Sequence, residues 1–253
     1  MFSKLIQLFS RAPVENVNPQ AAPKPAEPAD SSEPREPQVT YGIDVSHYQG
    51  EIDWDQVKQN EPGIAFVYIK ATQSGTVTDS CFGKNWSNAK QAGILRGAYH
   101  FFNAAVDAKT QADFFMNTVG KLEPNDLPPW LDLESGQYSG VDDVSPEAFV
   151  NSVFTWLEEV EKVWGIKPVV YASPAFMSEH LGDERFAAYP LAVAQYNTQI
   201  DAPQLEGAWQ GKSWTFWQYS ENGTIKGING NVDLDRYNGP VGELLKFAEE
   251  KGQ

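Results

Sequence analysis

Cysteine, histidine, basic charge and long apolar runs are all scarce in this chain. The one cysteine, Cys81, leaves no internal disulfide to form and rules out a cysteine-built metal cluster. The three histidines, His47, His100 and His180, include no pair at metal-ligand spacing, which argues against zinc hydrolase chemistry. No stretch approaches the roughly 18 to 20 apolar residues needed to cross a bilayer as a helix. Lys and Arg number 19 against 34 Asp and Glu, a formal charge of -15, and a field of that sign repels phosphate backbones and anionic membrane surfaces. Nucleic acid is therefore not an expected partner. What the 253 residues do contain is 41% apolar and 13% aromatic side chains, enough for a sizeable core in one or two domains.

Composition breaks near residue 40. Prolines at 13, 19, 23, 25, 28, 34 and 37, interleaved with Ala, Glu, Ser and Asp, mark residues 12–38 as an extended linker that cannot bury enough apolar surface to order itself. Ahead of it, residues 1–11 place Phe2, Leu5, Ile6 and Phe9 at helical spacing between Lys4 and Arg11. As a secretion signal this segment is poor, because its apolar stretch, interrupted by Gln7, falls short of the roughly 7 to 15 residues of a signal core. A frayed start and a short amphipathic helix that docks on a membrane surface or a secretion machine are both open readings.

From residue 39 to 253 the pattern alternates. Apolar, β-rich runs at Tyr41–Val45, Ile64–Ile69, Leu95–Phe102, Pro129–Leu133, Pro168–Ala172, Leu191–Tyr196, Thr215–Tyr219 and Asn231–Leu234 are expected strands. Helical stretches separate the first five, at Trp54–Asn60, Phe82–Ala92, Ala108–Val119 and Pro146–Val163. A shorter helix is expected at Pro174–Leu181 and a last one at Val241–Lys251, with no further domain beyond it. In the 146–163 helix, Phe149, Val153, Trp156, Leu157, Val160 and Val163 trace one face, behind a Ser145-Pro146 start signal. Repeated strand–helix–strand implies parallel strands joined by right-handed crossovers, closing most simply into an α/β barrel that turns irregular in its last third.

Reactive groups of such barrels gather at the strands' C-terminal ends. Asp44 stands there on the first strand, Asp132 and Glu134 on the fourth, and Asp233 with Asp235 on the eighth. A carboxylate inside an apolar β-run is unfavourable to bury, so it requires a reason. Asp132 and Glu134, at i and i+2, face the same side, and two converging carboxyls raise each other's proton affinity. One then remains a proton donor near neutrality, which glycosidic cleavage needs. Binding of Mg²⁺ or Ca²⁺ by the same acids is the competing reading. Tyr48, Trp54, Tyr99, Trp130, Tyr171, Tyr196, Trp217 and Tyr219 cluster at or near strand ends, where aromatic faces suit sugar rings, with Gln218, Asn197 and Ser220 available for hydroxyls. His100, inside a strand, reads as an interior histidine. His47 and Tyr48 are placed for a cleft but have no derivable role.

The segments Gly42–Gly50, Ile52-Asp53-Trp54, Phe66–Thr72, Gly97–Phe101, Leu131–Glu134, Val170–Ser173, Trp217–Ser220 and Gly230–Leu234 together resemble the glycoside hydrolase family 25 lysozymes, in order, from about Tyr41 to Gly239. The resemblance implies a single irregular (β/α)5β3 barrel that needs no cofactor or metal and acts as a monomer on peptidoglycan at the bacterial cell wall. It implies cleavage of the β-1,4 bond between N-acetylmuramic acid and N-acetylglucosamine. Glu134 would be the general acid, and Asp132 would assist the substrate's 2-acetamido group. Asp44 and Asp233 would be the supporting acids. Tyr99, Tyr171, Gln218, Tyr219, Tyr196 and Trp217 would be glycan contacts. One departure is Ala192, where the family usually carries Trp, which removes a sugar platform or a packing group. A non-catalytic glycan-binding barrel and a hydrolase of chitin-like glycans are the alternatives.

Overall fold

The computed structural model describes residues 39–196 and 202–249. The expected leader, the linker, Asn197 and Lys251 lie outside the described residues. In chain order the elements are β1 (Thr40–Val45), α1 (Trp54–Lys58), β2 (Phe66–Gln73), β3 (Val77–Thr78), α2 (Phe82–Gln91), β4 (Leu95–Phe101), α3 (Ala108–Val119), β5 (Trp130–Asp132), α4 (Pro146–Trp164), β6 (Val169–Ala172), α5 (Pro174–His180), β7 (Leu191–Ala194), β8 (Phe216–Gly223), β9 (Val232–Tyr237) and α6 (Val241–Glu249).

Local chemistry sets these boundaries. The Ser145 hydroxyl accepts from the Ala148 amide and Pro146 opens α4, which ends where Gly165 takes a left-handed conformation (φ 67°). Ser173 and Pro174 start α5 in the same way, and Asp107 caps α3 by accepting from Thr110. The buried face of α4 differs from expectation at two residues: Val163 is exposed, and Phe154 is buried instead. Phe154 is buried because it stacks on Phe186 at 4.4 Å between centroids, which widens the covered arc of α4.

Eight strands close a ring in the order β1, β2, β4, β5, β6, β7, β8, β9 and back to β1. In that ring β1, β2 and β4 through β8 run parallel, and β9 is antiparallel to both its neighbours. Five strand–helix units followed by three strands make the expected (β/α)5β3 barrel. Two features depart from expectation. A short β3, absent from the sequence reading, folds back on the end of β2 as an arm beside the barrel mouth. The last barrel strand runs in reverse and extends to Tyr237, so Asp233 reaches the mouth at the strand's beginning, while Asp235 lies a layer deeper.

Strand alternation divides the apolar side chains into two layers. Ile43, Val67, Ile69, Leu131, Val170, Val193 and Trp217 point outward and pack under the helices. Phe66, Tyr68, Trp130, Val169, Tyr171, Ala192 and Phe216 point inward. There Tyr68 stacks on Trp130 at 3.7 Å between centroids, and Phe216 meets both edge-on. A Cβ on Gly42 or Gly97 would lie 2.3 Å from the Phe66 or Tyr68 ring, so the aromatic floor requires glycine at both positions. Ala192 belongs to this interior packing and is fully buried, which makes it a packing position and not a sugar platform.

Candidate active site

A cleft of about 330 Å³ opens above the aromatic floor. Asp44 (β1), Asp132 at the end of β5, Glu134 two residues beyond it and Asp233 (β9) all line it. Asp44 and Asp233 are direct cross-strand partners. Asp132 stands beside Tyr171 and Phe101 in the neighbouring strands. Tyr99, Tyr171, Tyr196 and Gln218 line the same cleft, with Tyr48 and Tyr138 exposed at its rim.

A hydrogen-bonded chain organises one wall. The hydroxyls of Tyr171 and Tyr196 donate to Gln218 Oε1 at 2.8 and 2.7 Å, which fixes the amide so that its Nε2 donates to Asp44 Oδ2 at 2.6 Å. The other wall is barer. Asp132 is buried, and its Oδ1 has no hydrogen-bond partner. Glu134 reaches solvent on one side. Among the described residues the one lysine or arginine lining the cleft is Lys70, whose Nζ donates to Gln73 Oε1 at 2.9 Å and sits 4.9 Å from the Phe101 ring centroid.

Crowded carboxyls with one cation hold on to protons. Burial raises Asp132 well above the carboxylate range, Glu134 adds to this, and Lys70 opposes it. Burial also raises Glu134, against the pull of Lys70. Burial, then Asp233, raise Asp44, and burial with Glu221 lifts Asp233 to about 6. Burial keeps the Tyr99 and Tyr171 phenols protonated. Among the described residues no group of three or more His, Cys, Asp or Glu side chains is arranged to hold a metal ion.

Two expected glycan contacts are not in the cleft. Trp217 and Tyr219 flank the inward-pointing Gln218, so the strand's two-residue period turns both outward. Trp217 is buried under the helices, its indole donating to the Gln195 carbonyl at 2.9 Å, and Tyr219 packs on the Arg236 guanidinium at 4.2 Å. Trp54 is likewise a core residue. His100 is an interior histidine, bonded through Thr72 and Gln111 and stacked on Trp156, and burial lowers it to about 3 so that it stays neutral. His47 lines the cleft with its Nδ1 2.7 Å from the buried Asp79. The sequence reading gave no role to Lys70, although a lysine inside the apolar run of β2 carries the same signal as the acids.

Residues 43–228 match the family model for Glycosyl hydrolases family 25. The chain belongs to that family. It is 38% identical over 212 residues to the uncharacterized protein YegX of Escherichia coli K12, covering 83% of this chain and 73% of YegX. It is 34% identical over 216 residues to lysozyme M1 of Streptomyces globisporus, covering 82% of this chain and 70% of that protein. The fold superposes on the crystal structure of a bacterial lysozyme from Streptomyces coelicolor with a TM-score of 0.74 at 34% identity, over 83% of this chain and 96% of that one. The protein is thus a glycoside hydrolase on a family 25 barrel.

Proposed function

We propose that this glycoside hydrolase is a muramidase, cleaving the β-1,4 bond between N-acetylmuramic acid and N-acetylglucosamine in peptidoglycan. The observation that carries the reading is the Asp132–Glu134 pair on one wall of an open, tyrosine-lined cleft, in a chain similar to proteins named lysozyme. Glu134, the acid nearer the rim, donates its proton to the glycosidic oxygen as the bond to C1 breaks. The substrate's 2-acetamido oxygen closes on C1, and the Asp132 carboxylate accepts the acetamido N–H, balancing the positive charge of the cyclic intermediate. The Glu134 carboxylate then takes a proton from water, whose oxygen opens the ring at C1 and restores the starting anomeric configuration. Asp44 and Asp233 support the developing charge from the opposite wall. Tyr99, Tyr171, Tyr196 and Gln218 contact the glycan. The place of action is the bacterial cell wall, outside the cytoplasm.

Mass analysis of fragments released from purified sacculi tests this. The wild type is expected to release muropeptides ending in reducing N-acetylmuramic acid, and Glu134→Gln to release them about 10²–10⁴-fold more slowly with its circular dichroism unchanged. Fragments ending in reducing N-acetylglucosamine, or faster cleavage of chitin oligomers, would replace the proposed substrate bond.

A further inference from the structure

The reaction above leaves unused a carboxyl in the interior of the barrel. Asp235 lies two residues along β9 from Asp233 and so faces the barrel interior, opposite Gly42 of β1 and Gln218 of β8. It is 0% exposed, and among the described residues no N–H or O–H donor reaches either of its oxygens. Gly42 beside it has no side chain to offer, and Arg236, next in sequence, points to the opposite face over the Tyr219 ring. An ionised carboxylate without a donor is strongly unfavourable in a protein interior, and the group takes up a proton instead.

The group within hydrogen-bonding reach of Asp235 is the carboxyl of Asp44, the cleft residue diagonally above it. The two acids differ in their other partners. Asp44 accepts from Gln218 Nε2, held in that orientation by two tyrosine hydroxyls, and this bond works against the burial and the facing carboxyls of Asp233 and Glu134 that raise its proton affinity. Asp235 has no such donor. A proton shared between them therefore resides on Asp235 and points at Asp44. Every other ionisable group acting on Asp235 works in the same direction. Burial dominates, and the charges of Asp44 and Asp233 add to it. Tyr68 of β2 is its phenolic neighbour, and Lys70 acts on Asp132 and Glu134 instead.

We propose that Asp235 is a positioning residue: a permanently protonated carboxylic acid beneath the cleft that donates its O–H to Asp44, so that the Asp44 carboxyl meets the glycan in one orientation, held from below by Asp235 and from the side by Gln218. Its kinetic consequence rests on the muramidase reading, whereas its protonation state does not.

The test is made on the full-length protein. In the infrared difference spectrum of wild type minus Asp235→Asn at pH 7, a carbonyl band of a protonated carboxylic acid is expected. Absence of that band means an ionised Asp235 and overturns the proposal, whether or not either protein cleaves peptidoglycan. The kinetic arm compares Asp235→Leu, which has no donor, with Asp235→Asn, whose amide N–H replaces the lost O–H. Without a donor the Asp44 anion loses stabilisation, its proton affinity rises, and the acid limb of kcat/KM on sacculi moves up by about one pH unit, with kcat/KM at the optimum about tenfold lower. Asparagine is expected to restore the wild-type limb. Equal shifts in both variants, or none in either, overturn the positioning role. If Asp235→Leu does not fold, the spectrum together with the pH profile of Asp235→Asn decides, and a shifted limb in Asp235→Asn counts against the proposal. If the wild type shows the band but leaves sacculi intact, the muramidase reading fails and the protonated state of Asp235 stands.

Discussion

The two walls of the cleft carry similar acids in dissimilar company. On the β1–β8–β9 side, Asp44 is bonded by Gln218, Gln218 by Tyr171 and Tyr196, and each amide and hydroxyl in that chain has a direction. On the β5 side, Asp132 has an oxygen with no partner, and Glu134 stands at the rim with a single cation, Lys70, acting on the pair. A carboxyl that accepts from a fixed donor is held in one orientation, whereas one denied donors holds its proton more tightly. In the proposed reaction the proton donor, Glu134, stands on the bare wall.

Substitutions that erase the contrast are expected to have the largest effects. Gln218→Leu removes the hub of the organised wall and strands the buried Tyr171 hydroxyl, the half-exposed Tyr196 hydroxyl and one carboxyl, so stability should fall by about 1–3 kcal/mol in urea titrations. Lys70→Met strips the bare wall of its cation. Because Lys70 lowers the proton affinity of Asp132 and Glu134, its loss should move the pH–rate profile on sacculi upward, by about one unit. A downward move would contradict the stated electrostatics.

Stability should respond to pH through the same groups. Asp233 titrates near 6 when folded against 3.8 when unfolded, so the folded state binds the extra proton between those values. Its contribution is present below pH 4 and lost as pH rises through about 6. His100, lowered to about 3, works in the opposite sense, losing stability as pH falls below its unfolded value of 6.5. The comparison of melting temperatures at pH 7 and pH 5 is therefore made between proteins. Asp233→Asn should gain less on acidification than the wild type, since His100 is common to both. The smallest effect is expected from Tyr219→Phe. Its ring packs outside the barrel, and kcat/KM should stay within about twofold of wild type, as for a substitution away from the site.

Much of this was legible in the sequence for identifiable reasons. Carboxylates inside apolar β-runs stand out because burial penalises them, which marked Asp44, Asp132 and Asp233. The α3 helix has its expected bounds because its apolar spacing and its Asp107 cap agree. Strand direction was not legible. A two-residue alternation reads the same in both directions, so nothing in the expected strand Asn231–Leu234 shows that Asp233 stands at the start of a reversed strand and not at its end. The alternation that should have turned Trp217 and Tyr219 away from Gln218 was outweighed by their aromatic character. The Gln218–Asp44 bond joins residues 174 positions apart, and no local pattern encodes it.

The most direct test of the contrast uses a leaving group that needs no proton. On peptidoglycan, Glu134→Gln and Asp132→Asn should both lose about 10²–10⁴-fold in rate. On a dinitrophenyl β-glycoside of N-acetylmuramic acid, Glu134→Gln should recover most of that loss, because dinitrophenolate departs unassisted, whereas Asp132→Asn should not. Equal losses for Glu134→Gln on the two substrates would contradict the assignment of the proton donor to position 134.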